Sequence, residues 1–285
     1  MQIGVFDSGF GGLTVLRALL ERVPDAAYHY LGDSARLPYG SKSARTVAHY
    51  ATSSAQHLVD EGADLIVIAC NTATALALDE IKSAVQSQCG PGRAIPVIGV
   101  IEPGAQAAAR ASRSKRACVI ATHATVSSHA YTMALAQHGV DAQEKACPLF
   151  VPLVEEGWVE HPVTEQVARI YLDEMFAQTR TAWPETERAE NTPDVLVLGC
   201  THYPLLKPLL SRMLPAGMQM IDSADAVAEQ VQQHVDAMRE SAATRKKPSK
   251  PLRFSATDSL EKFRQLGQHF LGQRIRDVEL VALPE

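Results

Sequence analysis

Six short runs are apolar at every position but one, His29: residues 3–6, 28–31, 65–69, 97–100, 117–121 and 195–199. A strand covered by helices on both faces reads this way, because neither side of its pleat meets water. Longer segments at 13–22, 44–61, 73–85, 126–138 and 162–178 place apolar residues three and four apart, the spacing that lines one face of a helix. The alternation of strand and helix predicts an α/β fold with a mainly parallel sheet. Near the end, Leu260, Phe263, Leu266 and Phe270 predict a further helix over 259–271 with one buried face.

Two segments break the pattern. Residues 179–193 are polar and contain Pro184 and Pro193, and residues 240–251 carry Arg245, Lys246, Lys247 and Lys250 beside Ser and Pro. Both read as solvated surface connections. The pattern also repeats. Leu65-Ile66-Val67-Ile68-Ala69-Cys70-Asn71-Thr72 parallels Val195-Leu196-Val197-Leu198-Gly199-Cys200-Thr201-His202, and Gly4-Val5-Phe6-Asp7-Ser8 parallels Val119-Ile120-Ala121-Thr122. The simplest account is two similar, pseudosymmetric α/β domains facing each other across a cleft. The matched cysteines make the repeat more than the ordinary recurrence of apolar strands.

Composition narrows the function. With 46% apolar and 21% charged residues the chain is globular and not intrinsically disordered. A net charge of −5 supplies no basic field for nucleic acid. The start, Met1-Gln2-Ile3-Gly4-Val5-Phe6-Asp7, lacks the basic and apolar regions of a signal peptide, and no apolar run is long enough to span a bilayer. The expected location is the cytoplasm. There the five dispersed cysteines, Cys70, Cys89, Cys118, Cys147 and Cys200, are free thiols.

In open α/β sheets ligands bind beyond the carboxyl ends of the strands. Cys70 and Cys200 both fall there, each before a predicted helix start, with Thr72 or Thr74 able to cap the first helix and Pro204 suited to the first turn of the second. A helix N-terminus lowers a thiol pKa from about 8.5 toward about 7. Cys118, inside a strand, and Cys147, before a proline, read as structural, and Cys89 falls in a predicted turn. Asp7-Ser8-Gly9-Phe10-Gly11-Gly12 invites a dinucleotide-binding reading with Asp33 as ribose acid. It fails in detail, because Thr14 occupies the third glycine position and Asp7 would face a pyrophosphate. Its glycines instead allow a small ligand to approach Asp7 and Ser8. Leu37-Pro38-Tyr39-Gly40-Ser41 reads as a loop over a ligand. Asn71, Thr72, Thr201 and His202 offer donors for a carboxylate. A zinc site on Cys70, Cys200 and His202 lacks a paired motif, a serine hydrolase lacks its nucleophile elbow, and no lysine suits pyridoxal phosphate. Two thiols aimed at opposite faces of one carbon can remove a proton from one side and return one from the other, which inverts the centre.

The motifs Gly4-Val5-Phe6-Asp7-Ser8-Gly9-Phe10-Gly11-Gly12-Leu13-Thr14-Val15, Leu31-Gly32-Asp33, Pro38-Tyr39-Gly40, Ile68-Ala69-Cys70-Asn71-Thr72-Ala73-Thr74, Ile98-Gly99-Val100-Ile101-Glu102-Pro103-Gly104, Leu198-Gly199-Cys200-Thr201-His202-Tyr203-Pro204-Leu205 and Ala256-Thr257-Asp258-Ser259 occur in this order. Together the chain resembles the glutamate racemases over nearly its whole length. The resemblance implies a cofactor-independent enzyme with no metal, acting on L- and D-glutamate and supplying D-glutamate for peptidoglycan. It implies that the residue matching Cys70 works on D-glutamate and the one matching Cys200 on L-glutamate. Asp7, His202 and Glu155 match residues that assist the thiols. Ser8, Tyr39, Gly40, Asn71, Thr72 and Thr201, with Asp7 and His202, match substrate-binding residues. Thr122 and Thr125 are carried over as well, although His123-Ala124 stand where a glycine is common. Pattern alone does not single out Glu155. The resemblance further implies interleaved domains, 1–97 with 208–285 and 98–207, the site between them, and a homodimer as in many relatives. The alternative within the superfamily is an aspartate or hydantoin racemase.

Overall fold

The computed structural model of the chain describes residues 1–89, 94–183, 192–241 and 252–284. Its first part alternates β1 (Gln2–Asp7), α1 (Leu13–Arg22), β2 (Ala27–Gly32), α2 (Ala44–Asp60), β3 (Leu65–Ile68), α3 (Asn71–Cys89) and β4 (Val97–Gly99). There follow α4 (Ile101–Ala111), β5 (Arg116–Ala121), α5 (His123–Ser127), α6 (Ala130–Gln137), β6 (Asp141–Ala146), α7 (Phe150–Glu155), α8 (Pro162–Ala182), β7 (Val195–Gly199), α9 (Lys207–Ser211) and β8 (Gln219–Ile221). The chain ends with α10 (Ala224–Ser241), β9 (Leu252–Ala256), α11 (Leu260–Leu271) and β10 (Glu279–Leu280).

These elements form two compact units, Met1–Val100 with Ala224–Glu285, and Ile101–Ser223. The breaks differ from the expected 97/98 and 207/208. β4 hydrogen-bonds to β3 and so stays with the first unit, while β8 pairs with β7 and carries the second unit on to Ser223.

The first unit holds a six-stranded sheet, ordered β10-β9-β2-β1-β3-β4, and the second a four-stranded sheet, ordered β6-β5-β7-β8. All pairs are parallel. In the first unit, alternate strand residues such as Phe6, Leu31, Ile66 and Ile68 pack with Val47, Ala51 and Leu58 of α2 and Ala73, Ala77 and Ile81 of α3. Ile3, Val5, Leu65 and Val67, also fully buried, point to the opposite face by the period of two. This burial on both sides is why the central strands are predominantly apolar.

The two sheets repeat one arrangement. β1 lies between β2 and β3, and β5 lies between β6 and β7. Phe6 pairs with Ile68, and Ile120 with Leu198. Cys70 and Cys200 therefore each stand two residues beyond a matched pair.

The helix predicted over 126–138 is two helices. His129 adopts a left-handed φ of 55° between α5 and α6, and the Ser128 hydroxyl donates to the Thr125 carbonyl at 2.6 Å and accepts from Ala130 N–H at 3.3 Å. Local side-chain bonds of this kind compete with the helical ladder. α8 continues through Ala182, so the polar connection begins later than 179, and its residues 184–191, including Pro184, lie outside the described residues. So does the basic stretch Arg245, Lys246, Lys247 and Lys250. Cys89 closes α3 instead of occupying a turn. In α11, Phe263 and Phe270 are buried as expected, while Leu260 and Leu266 are half-buried. Among the described residues no helix is long and apolar enough to cross a membrane.

Candidate active site

In the first unit the relevant groups lie at the carboxyl ends of β1 and β3. Asp7 ends β1, is fully buried, and its Oδ2 accepts the Gly9 N–H at 2.9 Å. The chain passes close behind it: a Cβ on Gly12 would stand 2.5 Å from the Asp7 Cβ and 2.8 Å from that of Ala69, so this position admits only glycine. On the neighbouring strand, Ala69 N–H bonds Phe6 C=O at 2.8 Å, and Cys70 begins the turn into α3. Its Sγ lies 3.6 Å from Ser8 Oγ and accepts the Ala73 N–H at 3.4 Å. The thiol itself thus takes the helix-capping role that the sequence offered to Thr72 or Thr74. A free helix N–H directed at sulfur favours the thiolate. Asn71 and Thr72, in the first turn of α3, are buried beside it.

Tyr39, carried over as a substrate-binding residue, lies in a short turn after β2. Its ring is buried beside Phe6 and Tyr50, and its hydroxyl donates to Asp33 Oδ2 at 2.5 Å. Gly40 is half-buried in the same short turn, Tyr39–Ser41. Asp33 is no ribose acid. It is fully buried, and Oδ1 accepts the Thr257 hydroxyl at 2.9 Å. Burial raises its carboxyl above the ordinary range, and the bonds from Tyr39 and Thr257 pull it back. Neither Asp33 nor Thr257 carries a local signal that distinguishes it from an ordinary surface turn residue, though both lie in motifs shared with the racemases.

In the second unit the counterpart group forms around Cys200, just past β7. Cys200 Sγ is 3.9 Å from Nδ1 of His202, and His202 Nε2 is 3.1 Å from Oε1 of Glu155, at the end of α7. Thiol and imidazole are buried and Glu155 nearly so. Burial alone would lower the histidine pKa. The hydrogen bonds and charges of Cys200 and Glu155 outweigh it and raise His202 from 6.5 to about 10. A cationic imidazole beside a thiol favours its thiolate.

No long helix follows Cys200. A short 3-10 turn, Tyr203–Leu206, comes first, and α9 starts only at Lys207. The two thiols therefore sit at equivalent strand ends in different electrostatic settings, a helix N–H for Cys70 and a histidine for Cys200. Gly199 lets the strand end pack against Tyr131, whose Cε2 would be 2.8 Å from an added Cβ.

Thr201 is buried beside His202. Thr122 follows β5 and caps α5, its Oγ1 3.0 Å from that of the fully buried Thr125. The Tyr203 hydroxyl donates to the Cys147 carbonyl at 2.8 Å, which fixes the turn after Cys200 to the chain leading to Glu155; sequence analysis did not single out this bond. Cys118 and Cys147 are fully enclosed. Burial pushes the Cys118 thiol up to about 12 and raises that of Cys147 as well, as structural cysteines require. Among the described residues no cluster of three or more His, Cys, Asp or Glu could hold a metal ion.

Residues 3–231 match the family model described as Asp/Glu/hydantoin racemase. The glutamate racemase of Koribacter versatilis (strain Ellin345) is 49% identical over 300 residues, covering 99% of this chain and 97% of that one. Among solved structures, the glutamate racemase of Francisella tularensis subsp. tularensis SCHU S4 in complex with D-glutamate is 33% identical with a TM-score of 0.82, over 99% of this chain and 97% of that one. The Thermus thermophilus glutamate racemase in complex with β-chloro-D-alanine is 39% identical with a TM-score of 0.78, over 99% and 96% of the two chains.

Proposed function

Because the chain belongs to the Asp/Glu/hydantoin racemase family, we propose that it interconverts L- and D-glutamate by proton transfer between two thiols, needs no cofactor, and serves D-glutamate supply for peptidoglycan. The observation that carries this reading is the repeat of β2-β1-β3 as β6-β5-β7, which puts one buried thiol just past the equivalent strand of each sheet. Whole-chain likeness to glutamate racemases supports glutamate over other substrates of the family.

In the direction from D to L, the Cys70 thiolate removes the α-proton and the Cys200 thiol protonates the opposite face. The product leaves Cys70 as thiol and Cys200 as thiolate, and the reverse reaction exchanges the roles. The Ser8 hydroxyl and the Ala73 N–H support charge on Cys70. Protonated His202, held by Glu155, supports it on Cys200. Asp7 assists on the Cys70 side. Ser8, Asn71, Thr72, Thr122, Thr125, Thr201 and the backbone at Tyr39 and Gly40 are the proposed donors and walls for the substrate carboxylates. Neutral donors in a water-poor pocket suit a carbanion-like transition state, whose charge they stabilise without protonating it.

The test uses the purified chain with no added cofactor and L-glutamate in D₂O. Circular dichroism should decay to zero while deuterium appears at Cα by NMR. C70A and C200A should each abolish net racemisation and keep the wild-type far-ultraviolet spectrum. Full racemisation by either variant would sink the two-thiol mechanism. Turnover of aspartate or a hydantoin in place of glutamate would move the enzyme elsewhere in its family.

A further inference from the structure

Thr74 stands one turn after Cys70, and its backbone N–H and its hydroxyl both bond along the path of the chain around that cysteine. Its backbone N–H bonds the Cys70 carbonyl at 2.9 Å. Its hydroxyl donates to the Ile68 carbonyl at 3.2 Å, at the end of β3, and accepts the Val100 N–H at 3.3 Å, the last residue of the first unit. Its methyl is wedged against Gly99, where an added Cβ would approach within 2.5 Å. Thr74 is buried.

Thr74 thus brackets the Cys70 turn, its hydroxyl holding the carbonyl two residues before the cysteine and its backbone N–H the carbonyl of the cysteine itself. The backbone torsions of residues 69 and 70 decide where Sγ points, and with it the contacts to Ser8 and the Ala73 N–H. At the equivalent position after Cys200 stands Pro204, which has no hydroxyl to play this part. We propose that Thr74 is a positioning residue: its hydroxyl fixes the strand-to-helix turn so that the Cys70 thiol stays on its Ser8 and Ala73 contacts, without touching substrate itself. The proposal rests on Cys70 being one of the two working thiols.

The experiment compares the full-length wild-type chain with T74V, T74A and T74S. T74V is nearly isosteric and loses only the hydroxyl, whereas T74A and T74S differ from each other by that hydroxyl alone and overpack nothing. Two readouts are taken. The first is glutamate racemisation, split into kcat and KM. The second is the rate of iodoacetamide modification at Cys70 relative to Cys200 in the same polypeptide, by peptide mass spectrometry. Misplacing a reacting group by a fraction of an ångström costs kcat more than binding, so T74V and T74A should lose about tenfold in kcat with KM within about twofold. Their Cys70-to-Cys200 modification ratio should change by about threefold or more, and T74S should restore both readouts.

A general loss of stability would affect both cysteines alike and leave their modification ratio unchanged. If T74A matches T74S in both readouts, or if the modification ratio of a folded T74V equals that of wild type, the proposal is wrong. Should T74V not fold, the T74A and T74S pair decides alone. The modification ratio does not require turnover, so a wild-type chain inactive on glutamate would overturn the functional reading while Thr74 was still judged on the thiol.

Discussion

Glu155→Gln isolates the electrostatics of the second half-site. The amide can still hydrogen-bond His202 at the present 3.1 Å but brings no charge. In the native chain His202 is raised from 6.5 to about 10, against the effect of burial, by Cys200 and Glu155 together. That interval is worth a ceiling of ~5 kcal/mol. A histidine with a raised folded-state pKa contributes stability that is complete below pH 6.5 and is lost as pH climbs through about 10. A hydrogen bond to a charged partner accounts for ~2 kcal/mol, equivalent to ~1.5 pH units. The variant should therefore titrate His202 below the wild-type value of about 10.

Two measurements follow. In urea unfolding at pH 7, E155Q should be less stable than wild type by ~2 kcal/mol, and the difference should vanish above about pH 10, where both chains carry neutral imidazole. The alkaline limb of kcat/KM, followed by circular dichroism, should move down by at least one pH unit, and the His202 imidazole signals, assigned with H202N, should titrate with it. An E155Q enzyme whose alkaline limb and His202 titration both coincide with wild type would refute the assignment of Glu155 as the partner that keeps this imidazole charged.

Further outcomes are expected elsewhere. Tyr39→Phe removes a donor from the fully buried Asp33 and should cost ~1–3 kcal/mol at pH 7 in urea denaturation. Because burial already raises that carboxyl and the missing bond lets it rise further, the cost should shrink as pH falls and Asp33 takes up a proton; a larger cost at pH 5 than at pH 7 would contradict this. Gly12→Ala forces a Cβ to 2.5 Å from that of Asp7, an atom fixed to the backbone, and should both destabilise by ~1–3 kcal/mol and reduce kcat by about a hundredfold or more. A G12A enzyme of normal activity would show that the site tolerates a displaced Asp7.

The central strands were legible because they are enclosed on both faces: β3 and β7 are apolar from end to end, and β1, β2 and β5 depart from this only at Gln2, Asp7, His29 and Arg116. The edge strands β6, β8 and β10 were not, although the edge strand β4 was. β6 reads Asp-Ala-Gln-Glu-Lys-Ala, and only one ladder and one partly covered face ask anything of it. α10 was missed although Val227, Val231 and Val235 recur every four residues, because they stand among many polar residues. At the site, the two cysteines could be read from their positions after apolar strands. Their chemical surroundings could not. His202 is adjacent to Cys200 in sequence, but its acidic partner is 47 residues away, and only resemblance to known racemases brought Glu155 forward. The same distance effect hid Asp33, whose partner Thr257 is 224 residues further on.

The interleaving of the two units has a consequence for how the molecule is made. β2 pairs with β9, Tyr28 beside Leu252, so 224 residues separate two neighbouring strands of one sheet. At 5–20 residues per second, about 11–45 s pass on the ribosome between the appearance of one and of the other. Throughout that interval one ladder edge of β2 has no partner from this chain. The strands of the second unit, by contrast, are all synthesised by Ile221 and come from one unbroken stretch. The inserted unit can thus close its sheet while the host is still waiting for its last strands, and the nascent chain spends that wait with a hydrophobic strand edge that must be kept from other chains.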